Sequence, residues 1–458
     1  MSRVRIEHLS HVVTVDDADT VLDDATIEIA DGVIVAVRPA GVDEDPPSSP
    51  HRADDDVTVI DGRHRLALPG LVNLHTHLPM TLLRGLAEHV DLQGFLAKVW
   101  AAEGAVMDEA TVELGARLGA LESLLGGCTT QLDMYFHHEA AHRGAVAVGS
   151  RHVGGPVFFD FPGPDGLTWE ERIEGLRAWP GILAEVGGPT VPAAALPHGT
   201  YTVSPEHLRE LRDIAAGWEG RALLCTHVSE NAAENAEVRE RYAASPTGML
   251  ERAGWLDSGL PVVFAHGVHL DEADRAAASR AHVTTAHCPG SNLKLASGAL
   301  DWQAWLGSGV RIGLGTDGCS SSNDLDMWQV MRQAALLARL TSGRPDAAPA
   351  EQVLRAATID GARALGLGDL IGSLEVGKRA DITLVDLEAP HLTPVHDVAA
   401  LLVFAAGRGD VTDVLVDGEV VVRDRRSTRV DARALLAECR ERGRVAGAAA
   451  AAAGGFGQ

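Results

Sequence analysis

Histidines that could bind a metal end an apolar run in the segment LVNLHTH, residues 71–77. His75 and His77 are separated by one residue, and residues i and i+2 of a β-strand point to the same face. Both imidazoles would therefore project together from the end of a short buried strand. One His-x-His pair in a chain with 20 histidines is weak support for a metal site, so the interpretation depends on ligands at the ends of other strands.

Polar side chains recur where further strand-like segments end. These segments end in His198, His227, His266, His287 and Asp317. A buried structural histidine is the usual explanation for any one of them, but this many at equivalent positions are not expected by chance. Neutral imidazole is a common ligand of first-row metals. Three histidines and one carboxylate leave a position open for water, which is the arrangement of a catalytic metal site.

The segments that carry these residues alternate with helical segments between residues 67 and 372. Eight short apolar runs have the composition of strands, and each is followed by a helical stretch. The runs are GLVNLHTH, CTTQLDM, GPVFFDF, VPAAALPH, ALLCTH, PVVFAH, VTTAHCP and RIGLGTD. Eight β/α units predict an α/β fold, a (β/α)8 barrel of the TIM type, in which catalytic residues lie at the carboxyl ends of the strands.

The two ends of the chain have a different pattern. Residues 1–66 and 373–430 alternate between apolar and polar residues, which predicts antiparallel strands. Two β-rich flanks pair most simply with each other, so we expect one small β-sandwich domain built from both ends. The acidic, Pro- and Ser-rich segment 41–56 predicts a surface loop, and residues 431–458 predict a closing helix followed by a flexible tail.

Composition restricts the classes of partner. The net charge of −25 disfavours a nucleic-acid partner, which requires a basic surface. The five cysteines are odd in number and lack a C-x-x-C pair, so we expect reduced thiols in the cytoplasm. No signal peptide and no membrane-spanning stretch is evident. We therefore expect a cytoplasmic protein with a small-molecule partner and no membrane partner, and we leave a homo-oligomer open.

Motifs along nearly the whole chain resemble the amidohydrolase superfamily, in particular its branch of cytosine-deaminase-like enzymes, chlorohydrolases and adenosine-type deaminases. Within that branch the chain looks most similar to the 5'-methylthioadenosine/S-adenosylhomocysteine deaminases. The motifs are LPGLVNLHTHLPMTLLRG, LPHGTYTVSPEHL, CTHVSENAAE, FAHGVHLDE, AHCPGSNLKLASG, GLGTDGCSSSNDLDMWQVMR and GSLEVGKRADITLVDL. The resemblance implies a hydrolase of C–N bonds in cyclic amidines, with His75, His77, His227 and Asp317 as metal ligands.

The number of metal ions follows from the lysines. Binuclear members of the superfamily bridge two metals with a carboxylated lysine near the end of strand 4. The three lysines, Lys98, Lys294 and Lys378, lie elsewhere, and that region carries His198 instead. We therefore expect one divalent ion per chain, with Zn²⁺ the first choice and Fe²⁺ the second.

The resemblance also implies catalytic roles. Glu230, in HVSE, matches the proton shuttle of the family, and His266 matches the group that orients or polarises the nucleophile. Asp317 is expected to accept the proton of the water while it binds the metal. A divalent ion lowers the pKa of bound water to about 7. The expected reaction is attack of metal-bound hydroxide on an amidine-like ring carbon, followed by a tetrahedral intermediate and loss of ammonia.

Substrate contacts are expected from two further residues. Glu103 resembles the carboxylate that binds ribose hydroxyls in adenosine-type deaminases, although an exposed helix charge fits its position equally well. His198 resembles a residue that contacts the purine or the ribose. Other residues in these motifs are expected to have structural roles: Asn292 in the loop after strand 7, His287, Cys288, and Trp100 as a core residue.

Two departures from the group bear on the substrate. Phe95 occupies the position of a tryptophan in the loop that covers the substrate, and residues 156–168 contain no arginine or lysine. A site for the carboxylate of an amino acid normally supplies arginine. We therefore expect uncharged ligands such as adenosine or 5'-methylthioadenosine to be preferred over S-adenosylhomocysteine.

Other functions remain compatible with the sequence. One is dechlorination or dealkylamination of a triazine-like ring, and another is deamination of a free base such as guanine or cytosine. A third is an inactive barrel that serves as an assembly partner. The complete set of ligands together with Glu230 speaks against the third.

Overall fold

The computed structural model describes residues 3–39, 57–280 and 283–452. The predicted acidic surface loop, 41–56, lies outside these ranges, as do residues 453–458 of the predicted tail. None of the helices in the described ranges combines the length and apolar character that a membrane crossing requires.

Eighteen strands occur within the described ranges. They are β1 (Arg3–Val13), β2 (Val21–Ala30), β3 (Val33–Pro39), β4 (Val57–Asp61), β5 (Arg65–Pro69), β6 (Leu71–Thr76), β7 (Cys128–Asp133), β8 (Arg151–Val153), β9 (Val157–Phe158), β10 (Ala193–Pro197), β11 (Ala222–Val228), β12 (Val262–His266), β13 (Val283–His287), β14 (Arg311–Leu314), β15 (Ile382–Asp386), β16 (Val411–Val416), β17 (Glu419–Arg423) and β18 (Arg426–Ser427).

Fifteen α-helices occur in the same ranges, with three short 3₁₀ helices at Leu78–Leu83, Pro390–Leu392 and Arg408–Asp410. The α-helices are α1 (Leu92–Val106), α2 (Glu109–Leu125), α3 (His138–Ala147), α4 (Trp169–Val186), α5 (Pro205–Ala216), α6 (Ala232–Tyr242), α7 (Pro246–Arg252), α8 (Glu272–Ala278), α9 (Pro289–Lys294), α10 (Trp302–Gly307), α11 (Met327–Ser342), α12 (Ala350–Ala356), α13 (Ile359–Ala364), α14 (Val398–Phe404) and α15 (Ala432–Ala452).

Strands β6 to β14 are parallel and contain the eight predicted strand segments. They form a three-stranded sheet, in the order β6-β7-β8, and a six-stranded sheet, in the order β14-β13-β12-β11-β10-β9. The strands are buried along almost their whole length, which explains why their sequences are continuous apolar runs rather than alternating ones. Helices follow most of these strands, so the α/β character expected from the sequence is confirmed.

The third predicted strand differs from the prediction because it is interrupted. Its first part, β8, pairs with β7, and its second part, β9, pairs with β10. Pro156 lies in the interruption and cannot donate a ladder hydrogen bond. Gly155 lies so close to β10 that an added Cβ would be 1.9 Å from the carbonyl oxygen of Ala194. The sequence analysis identified β9 but missed β8.

Both ends of the chain contribute to one nine-stranded sheet. Its order is β18-β17-β16-β15-β5-β1-β2-β3, with β4 pairing in parallel with β1. The junction is the antiparallel pair of β15 and β5, and β5 runs across the predicted domain boundary at residue 66. This sheet has a separate apolar core, while a larger core surrounds the parallel strands. Helix α15 lies where the sequence predicted a closing helix.

A buried ion pair joins the nine-stranded sheet to the parallel strands. The guanidinium of Arg151, in β8, contacts the carboxylate of Asp381 through two hydrogen bonds, of 2.9 and 3.0 Å. It also lies 3.3 Å from Asp417 and donates to the carbonyl of Thr190 at 2.8 Å. Arg151 and Asp381 are almost completely buried, so loss of one partner would leave a charge in an apolar environment.

We predict that Arg151→Met lowers the free energy of unfolding by about 3 to 5 kcal/mol, because the Asp381 carboxylate would remain buried without its cation. Urea denaturation followed by tryptophan fluorescence and circular dichroism measures the change. The matched control is Arg344→Met, because Arg344 forms an exposed pair with Asp346 and its loss should change stability by less than about 1 kcal/mol. Equal stability of the two variants would contradict this prediction.

Candidate active site

The carboxyl ends of β6 and β14 meet at Asp317 and the two histidines of the HTH segment. The backbone N–H of Asp317 donates to the carbonyl of His75 at 2.9 Å. The Oδ1 atom of Asp317 lies 3.3 Å from Nε2 of His75 and 3.2 Å from Nε2 of His77. The first and the last strand of the parallel set therefore bring one carboxylate and two imidazoles to a common point.

His227, near the end of β11, adds a third imidazole, which lies against His75. Its Nε2 lies 3.1 Å from Nε2 of His75. Ligand atoms about 2.1 Å from a tetrahedral ion lie roughly 3.4 Å from one another, and the separations of 3.1 to 3.3 Å in this cluster are close to that value. The geometry and the chemistry of the donors therefore fit a divalent metal ion.

Neighbouring groups fix the orientation of the donors. Nδ1 of His77 donates to the carbonyl of Met134 at 2.6 Å, and Nδ1 of His227 donates to the carbonyl of His198 at 2.5 Å. The hydroxyl of Ser321 donates to Oδ2 of Asp317 at 2.6 Å. Such partners set the tautomer of a histidine and leave its Nε2 free to bind a metal.

Two residues at the strand ends have a left-handed backbone. His266 has φ 72° and Asp317 has φ 61°, a region that L-residues with side chains enter at a cost of about 1 to 3 kcal/mol. The hydrogen bond from the Asp317 N–H to His75 holds one of them in place. Both left-handed residues thus lie beside the cluster.

Burial and hydrogen bonds within the cluster shift the pKa values of its members in different directions. Burial lowers the pKa of His75 to about 4 and that of His227 well below its usual value. Burial acts to raise the pKa of Asp317, but hydrogen bonds with His75 and His77 lower it well below the ordinary range. Burial acts to lower the pKa of His77, but Asp317 outweighs it and the pKa rises to about 9.

Glu230 and His266 lie beside this cluster. Oε2 of Glu230 is 3.6 Å from Nε2 of His266, and Nδ1 of His266 donates to Oδ1 of Asn292 at 2.8 Å. The carboxylate of Glu234 accepts the backbone N–H groups of Ser229 and Glu230, at 3.0 and 2.7 Å. Burial and the charge of Asp317 raise the pKa of Glu230 well above its usual value, so this group can hold a proton near neutral pH.

A cavity of about 570 Å³, including the solvent at its mouth, opens above the cluster. Its wall is mostly aliphatic and aromatic, formed by Met80, Leu92, Phe95, Leu96, Val99, Trp100, Phe136, Val157, Phe159 and Tyr201 among others. Trp100 was expected in the core. The structure instead places its half-buried ring on the cavity wall, 5.3 Å from the ring of His198. Phe95, the residue in place of a tryptophan, is buried in the same wall.

Glu103 lies in the cavity and not on an exposed face of α1. It is 1% exposed, and one carboxylate oxygen accepts a hydrogen bond of 2.6 Å from the hydroxyl of Tyr135. The other oxygen is buried without a hydrogen-bond partner among the described residues. Burial raises the pKa of Glu103 to about 7. The lining of the cavity therefore includes one carboxylate oxygen without a partner among the described residues.

The structure separates the remaining predicted residues into two groups. His198 lines the cavity, where burial lowers its pKa to about 3 and Nδ1 lies 3.2 Å from the hydroxyl of Thr202. His287 is buried near Trp302 and does not line the cavity. Cys288 is also buried outside it, and Asn292 contacts His266, in agreement with their expected supporting roles.

No arginine of the described residues lines the cavity. Arg172, just beyond the segment 156–168, forms a buried pair with Asp165 through hydrogen bonds of 2.9 and 2.5 Å. Arg84 pairs with Glu122, and Arg151 pairs with Asp381. The arginines that could reach the loop after the third strand are thus already neutralised by carboxylates.

Sequence reasoning missed several residues that support the site. Tyr135, Ser321, Glu234 and Asn73 each contact a predicted site residue or its backbone. Two of them carried a usable signal. Asn73 is the one amide in the apolar run LVNLHT, and Glu234 follows Glu230 by four residues in a segment that opens a helix.

The amidohydrolase family model matches residues 66–421 of this chain. Curated proteins with similar sequences include a 5-methylthioadenosine/S-adenosylhomocysteine deaminase of Moorella thermoacetica, 40% identical over 84% of this chain and 88% of that protein. A protein of the same name from Pelotomaculum thermopropionicum is 39% identical over 94% of this chain and 96% of that protein.

Solved structures with the same fold also resemble the chain. An adenosine deaminase from Xanthomonas campestris, crystallised with bound zinc, has a TM-score of 0.89 and 35% identity, covering 97% of this chain and 98% of that one. An atrazine chlorohydrolase from Arthrobacter aurescens, complexed with zinc, has a TM-score of 0.84 and 27% identity, covering 96% of this chain and 100% of that one.

We predict that His75→Ala abolishes tight binding of a divalent metal, because the Nε2 atom of His75 is central to the donor set. The unchanged chain should retain about one Zn²⁺ after dialysis, measured by elemental analysis. The control His391→Ala removes a half-exposed imidazole that pairs with Asp410 far along the chain and should keep the metal. Two tightly bound ions per chain would contradict the expected single site.

Proposed function

The chain belongs to the amidohydrolase family, and we propose that it is a metal-dependent hydrolytic deaminase that releases ammonia from an adenosine-like nucleoside. One observation carries the proposal. Four candidate metal ligands, His75, His77, His227 and Asp317, cluster next to an apolar cavity that the buried carboxyl group of Glu230 also lines.

We infer that these four side chains hold one divalent ion, most simply Zn²⁺. When bound, the ion supplies Lewis acidity and lowers the pKa of a water molecule to about 7. Zinc is the metal in the crystallised adenosine deaminase and atrazine chlorohydrolase relatives. A single ion is favoured because His198 lies after β10, where a bridging lysine would be required, and the three lysines lie in other parts of the chain.

Glu230 is proposed to carry the proton. Burial and the charge of Asp317 favour its neutral carboxyl form, which can donate from Oε2 to a ring nitrogen of the substrate and then accept the proton of the attacking water. The backbone of Glu230 is fixed by Glu234, so the carboxyl group is held in position before the substrate binds. A general acid with a raised pKa is well matched to reaction near neutral pH.

His266 is proposed to orient the attacking water. Its Nδ1 donates to Asn292, so Nε2 carries a lone pair directed toward the cluster and Glu230. A ring nitrogen of His266 also lies within 4.8 Å of ring nitrogens of His75 and His227. It can therefore accept a hydrogen bond from the water at the point where Asp317 also accepts one.

The cavity wall suits a purine nucleoside. The aromatic side chains of Phe95, Trp100, Phe136 and Phe159 can pack on a planar ring. We propose that the unpaired oxygen of Glu103 accepts hydrogen bonds from ribose hydroxyls, because a buried carboxylate oxygen without a partner is costly unless a ligand satisfies it. His198, which also lines the cavity, is proposed to contact the ring or the sugar.

The region that faces the 5' end of the nucleoside favours an uncharged substituent. The buried pair of Arg172 and Asp165 leaves no free guanidinium for a carboxylate, and Phe161 is a partly exposed aromatic residue 5.8 Å from Trp100. A zwitterionic amino-acid tail would therefore lose water without gaining an ion pair. A methylthio group avoids this desolvation penalty, and a neutral hydroxyl incurs a smaller one than a charged group.

This function rests on a closed barrel, which we infer from contacts at its two seams. At one seam, the Asp317 N–H and the Asn73 side chain link β14 to β6. At the other, β8 and β9 are consecutive parts of one interrupted strand. We also propose that the nine-stranded sheet folds over its own apolar core as a β-sandwich, with domains near 1–66, 67–372 and 373–430.

We infer the cellular compartment and the class of partner of the protein from its cysteines and its net charge. All five cysteines are free and buried, which supports a reducing compartment such as the cytoplasm. The net charge of −25 supports a small-molecule partner over a nucleic acid. A homo-oligomer stays a prediction.

A triazine-ring hydrolase is the second candidate, because the structure is similar to an atrazine chlorohydrolase at 27% identity. A free-base deaminase is a related alternative. Glu103 favours the nucleoside, because an alkylated triazine or a free base has no sugar hydroxyl to satisfy the buried oxygen. Activity on triazines or free bases without activity on nucleosides would favour this alternative.

We predict that Glu230→Gln lowers kcat by about 10² to 10⁴-fold while the metal stays bound, because the amide keeps the shape of the side chain but cannot transfer the proton. Ammonia release by the metal-loaded variant, with elemental analysis of the same sample, measures both effects. Glu237→Gln is the matched control, because Glu237 is exposed on α6, and it should retain full activity. A fully active Glu230→Gln enzyme would assign the proton to another group.

We predict that kcat/KM for 5'-methylthioadenosine and adenosine exceeds that for S-adenosylhomocysteine by about tenfold or more, since an unpaired charged group in a partly buried site costs at least about 1 to 3 kcal/mol. The three substrates are compared at one salt concentration and equal metal content. A clear preference for S-adenosylhomocysteine would contradict this prediction and show that a cationic group reaches the carboxylate.

A further inference from the structure

A network of three hydrogen-bonded, buried side chains lies behind the candidate metal ligands and does not line the cavity. Asp133 ends β7, His152 lies in β8, and His142 lies in α3. Oδ2 of Asp133 is 3.1 Å from Nε2 of His152, and Nδ1 of His152 is 3.1 Å from Nδ1 of His142. All three residues are at most 2% exposed. Burying this network of polar groups is unfavourable, so we ask what role it has.

At one end, the network contacts the backbone next to a proposed metal ligand, His77. Oδ1 of Asp133 accepts the backbone N–H of Leu78, the residue after His77, at 2.8 Å. The next residue, Met134, accepts the Nδ1–H of His77 and donates its own N–H to the carbonyl of Thr76. The side chain of Asp133 and the peptide of Met134 thus hold the turn at His77 from both sides.

The charge of Asp133 sets the direction of the hydrogen bonds. A carboxylate only accepts, so Nε2 of His152 must carry a proton and donate it. In a neutral His152 the Nδ1 atom is then an acceptor, and His142 donates to it from its own Nδ1. This arrangement leaves Nε2 of His142 as a bare acceptor, in keeping with the absence of a partner for this atom among the described residues.

Neighbouring groups pack closely against this network. The ring of Trp179 lies edge-on to that of His142, 5.5 Å away, and the indole N–H donates to the carbonyl of Gly154. Gly154 is closely packed against His152, because an added Cβ would lie 2.7 Å from Cε1 of that ring. Two rings and a carboxylate are thus held in one arrangement.

We propose that Asp133, held by His152 and His142, is a positioning residue that orients His77 for binding the metal. The inference rests on the proposed function only in requiring that a divalent metal binds. Partners that orient a ligand commonly change metal affinity by about 10 to 100-fold when they are removed. If the network had only a packing role, substitutions in it would change the stability of the metal-free protein and leave the metal affinity unchanged.

The test measures metal binding by the full chain without reference to turnover. The dissociation constant for Zn²⁺ is determined by competition with a chelator, and the visible spectrum of the Co²⁺-loaded protein reports the ligand geometry. Asp133→Asn removes the charge with little change in shape, and His152→Leu removes the donor. Both should weaken Zn²⁺ binding by about 10 to 100-fold and alter the Co²⁺ spectrum.

Two further variants separate positioning from packing. His152→Gln places an amide N–H near the position of Nε2 and should retain most of the affinity. His138→Leu removes an imidazole that lies on the same helix as His142 and contacts the same Trp179 ring. This imidazole is not hydrogen-bonded to Asp133, His152 or His142. The variant should match the unchanged protein in Zn²⁺ affinity even where it lowers the stability of the metal-free state.

The outcomes distinguish this inference from the proposed function. Unchanged Zn²⁺ affinity and an unchanged Co²⁺ spectrum in Asp133→Asn would overturn the positioning role, whether or not His152→Leu folds. Equal weakening by His138→Leu and Asp133→Asn would also overturn it. A chain that binds metal with these effects but releases no ammonia from nucleosides would refute the proposed function alone, whereas failure of the unchanged chain to bind any divalent ion would refute both.

Discussion

The contact between Asp317 and His75 is the constraint on which the candidate site depends. The two residues come from the last and the first strand of the parallel set, and their backbones are joined by a hydrogen bond of 2.9 Å. In a strand, a shift of one residue turns every side chain to the other face. Any such slip in β6 would direct both histidines away from Asp317. The register of the parallel strands and the metal-binding geometry are therefore one requirement.

This constraint explains which parts of the site could be predicted from sequence. His75, His77, His227 and Asp317 end strands that read as apolar runs, and the carboxyl ends of parallel strands share one side of the sheet. Local pattern and fold class together were enough to place them near each other. The eight strand segments could be predicted for the same reason, because a strand buried on both faces is recorded in the sequence as an uninterrupted apolar run.

The remainder depends on contacts between distant segments. Tyr135 was not predicted because its role exists only through Glu103, a residue on another element. Trp100 has a large apolar side chain of the kind found in cores, and only the position of α1 places it on the cavity wall. The strand β8 was missed because three residues carry too little pattern, and the interruption after it follows from the closeness of Gly155 to Ala194. Tertiary packing, not local propensity, decides these features.

The nine-stranded sheet and the candidate site meet in the backbone of β8. Arg151 extends to Asp381 of the sheet, while its neighbour His152 faces Asp133 behind the metal-binding cluster. Successive residues of a strand point to opposite faces, so one short strand contacts both parts of the molecule. The sheet also contacts the amino ends of β6 and β7, through the Gly70 N–H on the Asp381 carbonyl and the Thr383 hydroxyl on the Gly127 carbonyl. The sheet thus contacts the parallel strands at their amino ends and the candidate site lies at their carboxyl ends, where loops are free to define the substrate.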